Sequence, residues 1–293
     1  SFLELSRDSV KGAFEIKNPN YNFSGNELSF YLSSTQNDKP DQGFENSLIA
    51  AGIGTKFEQY KNIFLSPSIE FSHDDLQVNN SASSALQKQE GTFSEIAASY
   101  GVTLDERNRA YAPTDGFITR FSQKIPVVAD SPYLVNTYSL STYKQINPNI
   151  IGAAKFYGAA INGLNDKDVR ISKRLFVPTT RLRGFESGKI GPKDGSDYIG
   201  GNYVTTLNLE ANLPNLLPES TRTDIMAFLD FGNVWHVDYD SSLGESNKLR
   251  STIGISTNWS SPVGPMSFIF SQNLSKAKSD KTQGFNFRLG TTF

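Results

Sequence analysis

The chain of 293 residues has no cysteine, only two histidines and no long hydrophobic run. Without cysteine there are no disulfides and no thiolate metal sites, although this alone does not fix a compartment. No window holds the eighteen or so uninterrupted apolar residues of a membrane helix, and the longest apolar run, 150–161, is broken by Lys155. A helical membrane protein is excluded on that ground. A membrane β-barrel is not, because lipid-facing and lumen-facing residues alternate and keep the mean hydropathy polar, here at -0.39. A basic excess is also missing. With 28 basic and 30 acidic side chains and a net charge of -2, nothing points to nucleic acid. No signal peptide is visible and Ser1 is not an initiator methionine, so the chain is expected to be processed or cut from something longer.

Alternation with a period of two fills most of the sequence, and helical periodicity is nearly absent. Between 115 and 126, Phe117, Thr119, Phe121 and Ile125 fall on one face and Arg120, Ser122 and Lys124 on the other. Ile63, Leu65, Ile69 and Phe71 oppose Ser66, Ser68, Glu70 and Asp74 in the same way, and Ile96, Ala98, Tyr100, Val102 and Leu104 share a face. Strands are expected at about 1–7, 10–18, 26–36, 43–58, 62–75, 93–106, 115–126, 133–146, 149–161, 203–213, 223–235, 248–259, 264–274 and 283–293. Many approach the nine to eleven or so residues of a tilted membrane strand. A soluble β-sandwich also alternates, but its strands are shorter, typically about five or six residues. Fourteen or so long strands in succession favour one all-β domain over 1–293, a transmembrane up-and-down antiparallel barrel.

Short connections at 145–149 and 260–264 contrast with longer polar ones at 36–43, 76–92, 236–247 and 275–283, as in barrels with short turns at one end and long loops at the other. A short loop helix is expected within 81–90. Trp235 and Trp259 stand at strand ends, where an interfacial aromatic girdle places them. The last strand turns Phe285, Phe287, Leu289 and Phe293 to one face.

The regular series is interrupted once, by a polar, glycine-rich segment at about 162–202 that contains Arg181-Leu182-Arg183-Gly184-Phe185. A connection of that length is unusual in a compact protein and is more often functional or disordered. Signals for catalysis are sparse. His73-Asp74-Asp75 lies at the outer end of a strand without a positioned nucleophile. No phosphate-binding glycine loop and no metal-ligand spacing appear. Gly52 and Gly54 sit in a strand interior, where glycine relieves crowding. No catalytic residue, cofactor or metal is assigned.

Four ordered motifs carry a resemblance. Leu182-Arg183-Gly184-Phe185, Gly188-Lys189-Ile190-Gly191-Pro192 and Gly200-Gly201-Asn202 together resemble the sixth extracellular loop of BamA-type barrel assembly factors. Tyr111-Ala112-Pro113-Thr114-Asp115-Gly116 resembles that family's turn before its ninth strand, Asp230-Phe231-Gly232-Asn233-Val234-Trp235 its Asp-x-Gly-x-x-Trp strand, and Ser261-Pro262-Val263-Gly264-Pro265 its Ser-Pro-x-Gly-Pro turn. The terminal amphipathic strand is similar to the sorting signal of bacterial outer-membrane barrels. Two departures accompany the match: no POTRA repeats precede the barrel, and two of the family's sixteen strands, the first two, are not seen.

The resemblance implies a loop folded into the lumen, with Arg183 paired to acidic residues of the wall at Glu210 and Asp230, Gly184 allowing close approach and Phe185 wedging the loop. Alternation independently turns both carboxylates inward, since Leu207, Leu209, Leu229 and Phe231 occupy the opposite faces of their strands. It also implies a bacterial outer-membrane location, lipid contact, unfolded outer-membrane proteins as substrates, assembly-complex lipoproteins as partners, and insertion without a nucleotide. Alternatives are a TamA-like or two-partner-secretion translocation barrel and a passive porin, the last separable by single-channel conductance.

Overall fold

The computed structural model describes residues 2–6, 9–23, 25–214, 216–243, 248–261 and 264–289. Its strands are β1 (Phe2–Ser6), β2 (Ser9–Tyr21), β3 (Asn26–Lys39), β4 (Phe44–Tyr60), β5 (Ile63–Leu65), β6 (Ser68–Val78), β7 (Gly91–Asp105), β8 (Asp115–Ala129), β9 (Tyr133–Asn147) and β10 (Ile150–Gly163). Two short strands follow in the long segment, β11 (Lys193–Asp194) and β12 (Asp197–Tyr198). The series resumes with β13 (Tyr203–Asn212), β14 (Thr223–Trp235), β15 (Arg250–Ser261), β16 (Gly264–Ser275) and β17 (Phe285–Leu289). All except β11 and β12 join one antiparallel sheet in sequence order, the up-and-down topology expected of a barrel wall. Among the described residues β1 and β17 do not pair with each other.

The expected 62–75 strand is split. β5 and β6 both pair with β4 and β7, and at Ser66-Pro67 the ladder is carried instead by Thr55 N–H on the Pro67 carbonyl and by Ser66 and Gly101 exchanging backbone bonds. Proline has no N–H to donate, so the ladder breaks at that point. Residues 36–43 are not a long connection. β3 continues to Lys39, and only the turn Pro40–Gln42 with its cap Gly43 separates it from β4. Pairing there needs no apolar face, because Asn37 donates to Asn46 Oδ1 at 2.9 Å along the extended hairpin. The loop helix is α1 (Ser84–Gln87), capped by Ser83 Oγ accepting from the Leu86 N–H at 3.3 Å.

The sheet is polar inside and apolar outside. Leu209 pairs with Leu229 and Leu229 with Ile253, giving an outward apolar row. One residue along, Lys155, Asn208, Asp230, Thr252 and Asn273 pair in succession as an inward polar row. Exposed large side chains on the outer face include Leu209, Ile253, Ile255, Phe285 and Phe287, whereas Asn208, Asp230, Thr252 and Ser256 are buried. This inversion of a soluble core is the pattern of a wall solvated by lipid. Inside, Tyr31 lies over Gly52, where a Cβ would collide with its ring, and the Tyr31 hydroxyl donates to Glu70. The strand-interior glycine therefore makes room for an inward aromatic, as its position suggested.

One end carries the connections 22–25, 61–62, 106–114, 148–149 and 213–222, and the other carries 40–43, 79–90, 130–132, 164–202, 236–249 and 276–284. Below the second end the long segment packs against the inner wall. It is less irregular than expected: Ile171–Lys173 forms a 3₁₀ turn, Leu175 and Gly201 form a bridge, and β11 pairs with β12. Three apolar clusters hold it, a small one of Tyr133, Ile161 and Val169 and two larger ones. One of the larger contains Phe44, Leu76, Val78, Leu86, Ile171, Ile199 and Val237, and the other Val177, Leu182, Phe185, Ile190, Val204 and Val234.

Candidate functional site

The site lies where the long segment crosses the inward polar row. Arg183 Nε donates to Asp230 Oδ2 at 2.7 Å and Nη2 to Oδ1 at 2.6 Å, a two-bond fork that a lysine cannot make. The Arg183 backbone N–H adds a third bond to Asp230 Oδ2 at 3.1 Å, and Nη2 also reaches Glu210 Oε1 at 3.1 Å. Glu210 is held from the other side by Lys155 Nζ at 2.5 Å. Arg183 is 6% exposed and Asp230 0%. Removing either partner would strand a desolvated charge, at a cost of about 3–5 kcal/mol.

Alternation brings these groups together. Asn208 and Asp230 are directly paired, as are Glu210 and Phe228, so two adjacent inward rows form a platform under the guanidinium. The Phe228 ring lies 3.7 Å from the Arg183 guanidinium carbon, a cation–π contact. Asn208 Nδ2 donates to Asp230 Oδ1 at 2.7 Å and to the Arg181 carbonyl at 2.6 Å, tying wall, carboxylate and loop at one point. Sequence reasoning did not single out Asn208, Phe228 or Lys155. The signal for Phe228 was available, because it is an aromatic on the same strand face as Asp224 and Asp230.

Gly184 meets the next strands. Its backbone has φ +87°, and its carbonyl accepts from Asn273 Nδ2 and from the Gln283 N–H, each at 3.0 Å. Phe185 is buried in the apolar cluster and forms a bridge with Thr282. Arg181 is separate from the carboxylates and packs 4.3 Å over the Tyr157 ring.

A second arginine, missed in the sequence, anchors the base of the segment. The Arg174 side chain is fully buried. Nη1 donates to Asn202 Oδ1 at 2.7 Å, and Nη2 donates to the Val169 carbonyl at 2.9 Å and to Asp238. Burial alone would raise the Asp238 carboxyl above the ordinary range. The Arg174 guanidinium, the Val169 N–H and the Asn202 amide outweigh it and hold the carboxyl below 3.8.

His73-Asp74-Asp75 is not one constellation. His73 Nδ1 lies 2.9 Å from Ser94 Oγ, its direct partner on β7, while Asp74 is 1% exposed and bound to Asn46, Ser172 and Lys173 on the inner side. In the terminal strand Phe285, Phe287 and Leu289 face outward, the first two pairing with Phe270 and Phe268 at 5.0 and 5.2 Å between ring centroids. Phe293 lies outside the described residues, as do Pro262 and Val263 of the Ser-Pro-x-Gly-Pro turn.

Comparison with known proteins bears on the family and the fold. The Omp85 superfamily domain matches residues 3–293. The outer membrane protein assembly factor BamA of Neorickettsia risticii is 23% identical over 264 residues, which is 88% of this chain and 36% of that protein. The chain thus spans about a third of that relative. The crystal structure of BamA from Haemophilus ducreyi lacking POTRA domains 1–3 superposes with a TM-score of 0.86 at 21% identity, covering 96% of this chain and 61% of the other. CdiB from Acinetobacter baumannii, at 13% identity, covers 96% of this chain and 56% of its own with a TM-score of 0.55. A family match over nearly the whole sequence, on a wall that is polar within and apolar without, makes the chain a member of the Omp85 superfamily with an outer-membrane β-barrel fold.

Proposed function

We propose that this chain is the membrane part of an outer-membrane protein assembly factor, which receives unfolded β-barrel precursors and helps them insert into the bilayer. The observation that carries the reading is the Arg183 fork on Asp230, with its contact to Glu210, inside a segment bearing the family's Arg-Gly-Phe sequence. The segment acts as an extracellular loop folded into the lumen, and Arg183 is its latch. Gly184 admits the backbone to the wall and Phe185 wedges it. No nucleotide takes part in the membrane step.

The physical logic is that of an open edge. A barrel closed by a weak seam offers an edge to an incoming strand, and unpaired edges template such pairing. Phe285, Phe287 and Leu289, on the lipid side of the terminal strand, serve with Phe293 as the sorting signal through which this barrel is itself recognised. Outer-membrane lipids and assembly lipoproteins are its partners. A translocation barrel is the second reading. The weaker superposition on CdiB and the stronger one on BamA favour assembly.

The test is Arg183→Glu in the full-length protein, reconstituted in proteoliposomes and assayed for folding of a model barrel substrate. The expected outcome is a folded variant with assembly reduced about tenfold or more, because a buried fork becomes a cluster of three carboxylates. Unchanged assembly by a folded variant would remove the latch role.

A further inference from the structure

The long segment touches the wall at a second place, far around the sheet from Arg183. Its basic turn, Arg170-Ile171-Ser172-Lys173, faces β4, β6 and β7, while the next residue, Arg174, turns to Asp238. Lys173 Nζ lies 3.1 Å from Asp74 Oδ2, and Ser172 Oγ donates to the same oxygen at 2.9 Å. The other oxygen accepts from Asn46 Nδ2 at 2.6 Å. The Ile171 N–H donates to Gln89 Oε1 at 2.7 Å, and the Arg170 guanidinium carbon lies 3.7 Å over the Phe93 ring. Asp74 on β6 and Asp230 on β14 are thus two buried wall carboxylates, each neutralised by a cation from the same segment.

The two seats differ in quality. At Arg183 both Nε and Nη2 are paired, and Val177, Leu182, Phe185, Ile190, Val204 and Val234 exclude water beside it. At the basic turn the guanidinium donors Arg170 Nε, Arg170 Nη1 and, just after it, Arg174 Nε are buried without a hydrogen-bond partner, as is Oε2 of Glu95 on the facing wall. Beside the latch, by contrast, the unpartnered buried groups are two neutral hydroxyls, Thr206 Oγ1 and Thr252 Oγ1. Each such group has given up water and gained no partner. A cavity of about 280 Å³ adjoins this turn, lined among others by Asn37, Lys39, Gln42, Asn46, Ser172 and Arg174. Water entering there solvates the donors once the turn lifts. Burial also pulls Lys173 below its ordinary basicity, against the attraction of Asp74, so this ammonium is held in place largely by one carboxylate.

We propose that Asp74 is a positioning residue forming a second, weaker seat for the lumenal segment, and that the basic turn releases from Asp74 while Arg183 stays latched on Asp230. The segment then opens in two stages, and the first clears the polar side of the lumen along β3, β4 and β6. This builds on the reading of the segment as a lumenal latch.

The chain contributes no native thiol, so single cysteines report each seat. In the full-length protein in proteoliposomes, Ile171→Cys reports the basic turn and Leu182→Cys the latch, through their rates of reaction with a water-soluble maleimide. Both positions are fully buried. Asp74→Asn is expected to speed labelling at 171 about tenfold and to leave 182 protected. Adding Lys173→Gln to Asp74→Asn is expected to restore most of the protection at 171, because no buried charge is then unpaired, whereas a packing role would gain nothing from it. Unchanged labelling at 171, equal exposure of both positions, or no restoration by Lys173→Gln would overturn the second seat. If Asp74→Asn does not fold, Lys173→Glu carries the same test from the loop side. Arg183→Gln with 182 still protected would defeat the latch instead, without bearing on 171.

Discussion

At Gly184 two requirements coincide. The backbone is in the left-handed region at φ +87°, and an added Cβ would sit 2.8 Å from Ser271 Oγ and 3.0 Å from Thr252 Cγ2. Either alone disfavours a side chain, and together they leave little room for relief because Asn273 and Gln283 hold the carbonyl. Gly184→Ala is expected to cost about 1–3 kcal/mol, read as a lower midpoint of heat-induced unfolding on a semi-native gel. Asp238 gives a prediction in pH. Its folded-state pKa is depressed, so the stability it contributes is fully present above the ordinary value of 3.8 and is lost as pH falls through and below that value. Limited proteolysis of the 164–202 segment is therefore expected to accelerate below about pH 4, the carboxylate's ordinary range. In Asp238→Asn this acid-dependent acceleration should shrink, with the segment already looser at neutral pH and the remainder due to the other carboxylates that hold it.

At the level of strands, the outer face determines what the wall tolerates. Leu209 faces outward midway along β13 and is flanked by Ala154 and Leu229 on the neighbouring strands. Leu209→Arg is expected to destabilise the barrel in phospholipid vesicles by about 2–4 kcal/mol, the cost of a cation near the bilayer midplane, measured by urea or guanidinium titration. Most strands were legible because the alternation that solvates one face with lipid is written residue by residue, and the same alternation turns Glu210 and Asp230 inward. Limits were less legible where strands rise beyond the bilayer, as at Gln36 to Lys39, since pairing there carries no apolar signature. The break at Ser66-Pro67 reflects one missing donor inside an unbroken apolar pattern. Arg174 and Asp238 were not found at all, and Asn202 entered only as part of the Gly-Gly-Asn motif, because loop residues lack a period and their convergence depends on two separate connections.

For the molecule as a whole, the sheet runs strand to neighbouring strand, so most of its pairing is local in sequence. The long segment is the exception, and its two seats differ in when their partners exist. From Arg170 to Lys173 the hydrogen bonds, ion pair and cation–π contact with the wall and its loops are to Asn46-bound Asp74, Gln89 and Phe93, all earlier in the chain, although Ile171 also joins a cluster with the later Val237. Arg183 needs Glu210 and Asp230, and Gly184 needs Asn273 and Gln283, which lie up to about a hundred residues later. A chain that builds its wall from the amino-terminal side therefore has a landing place for the basic turn as soon as the turn emerges, whereas the latch waits for the last strands. The weaker seat then serves as a placeholder in time, holding the segment on the inner side while the wall grows around it, and the stronger one records that the wall is finished.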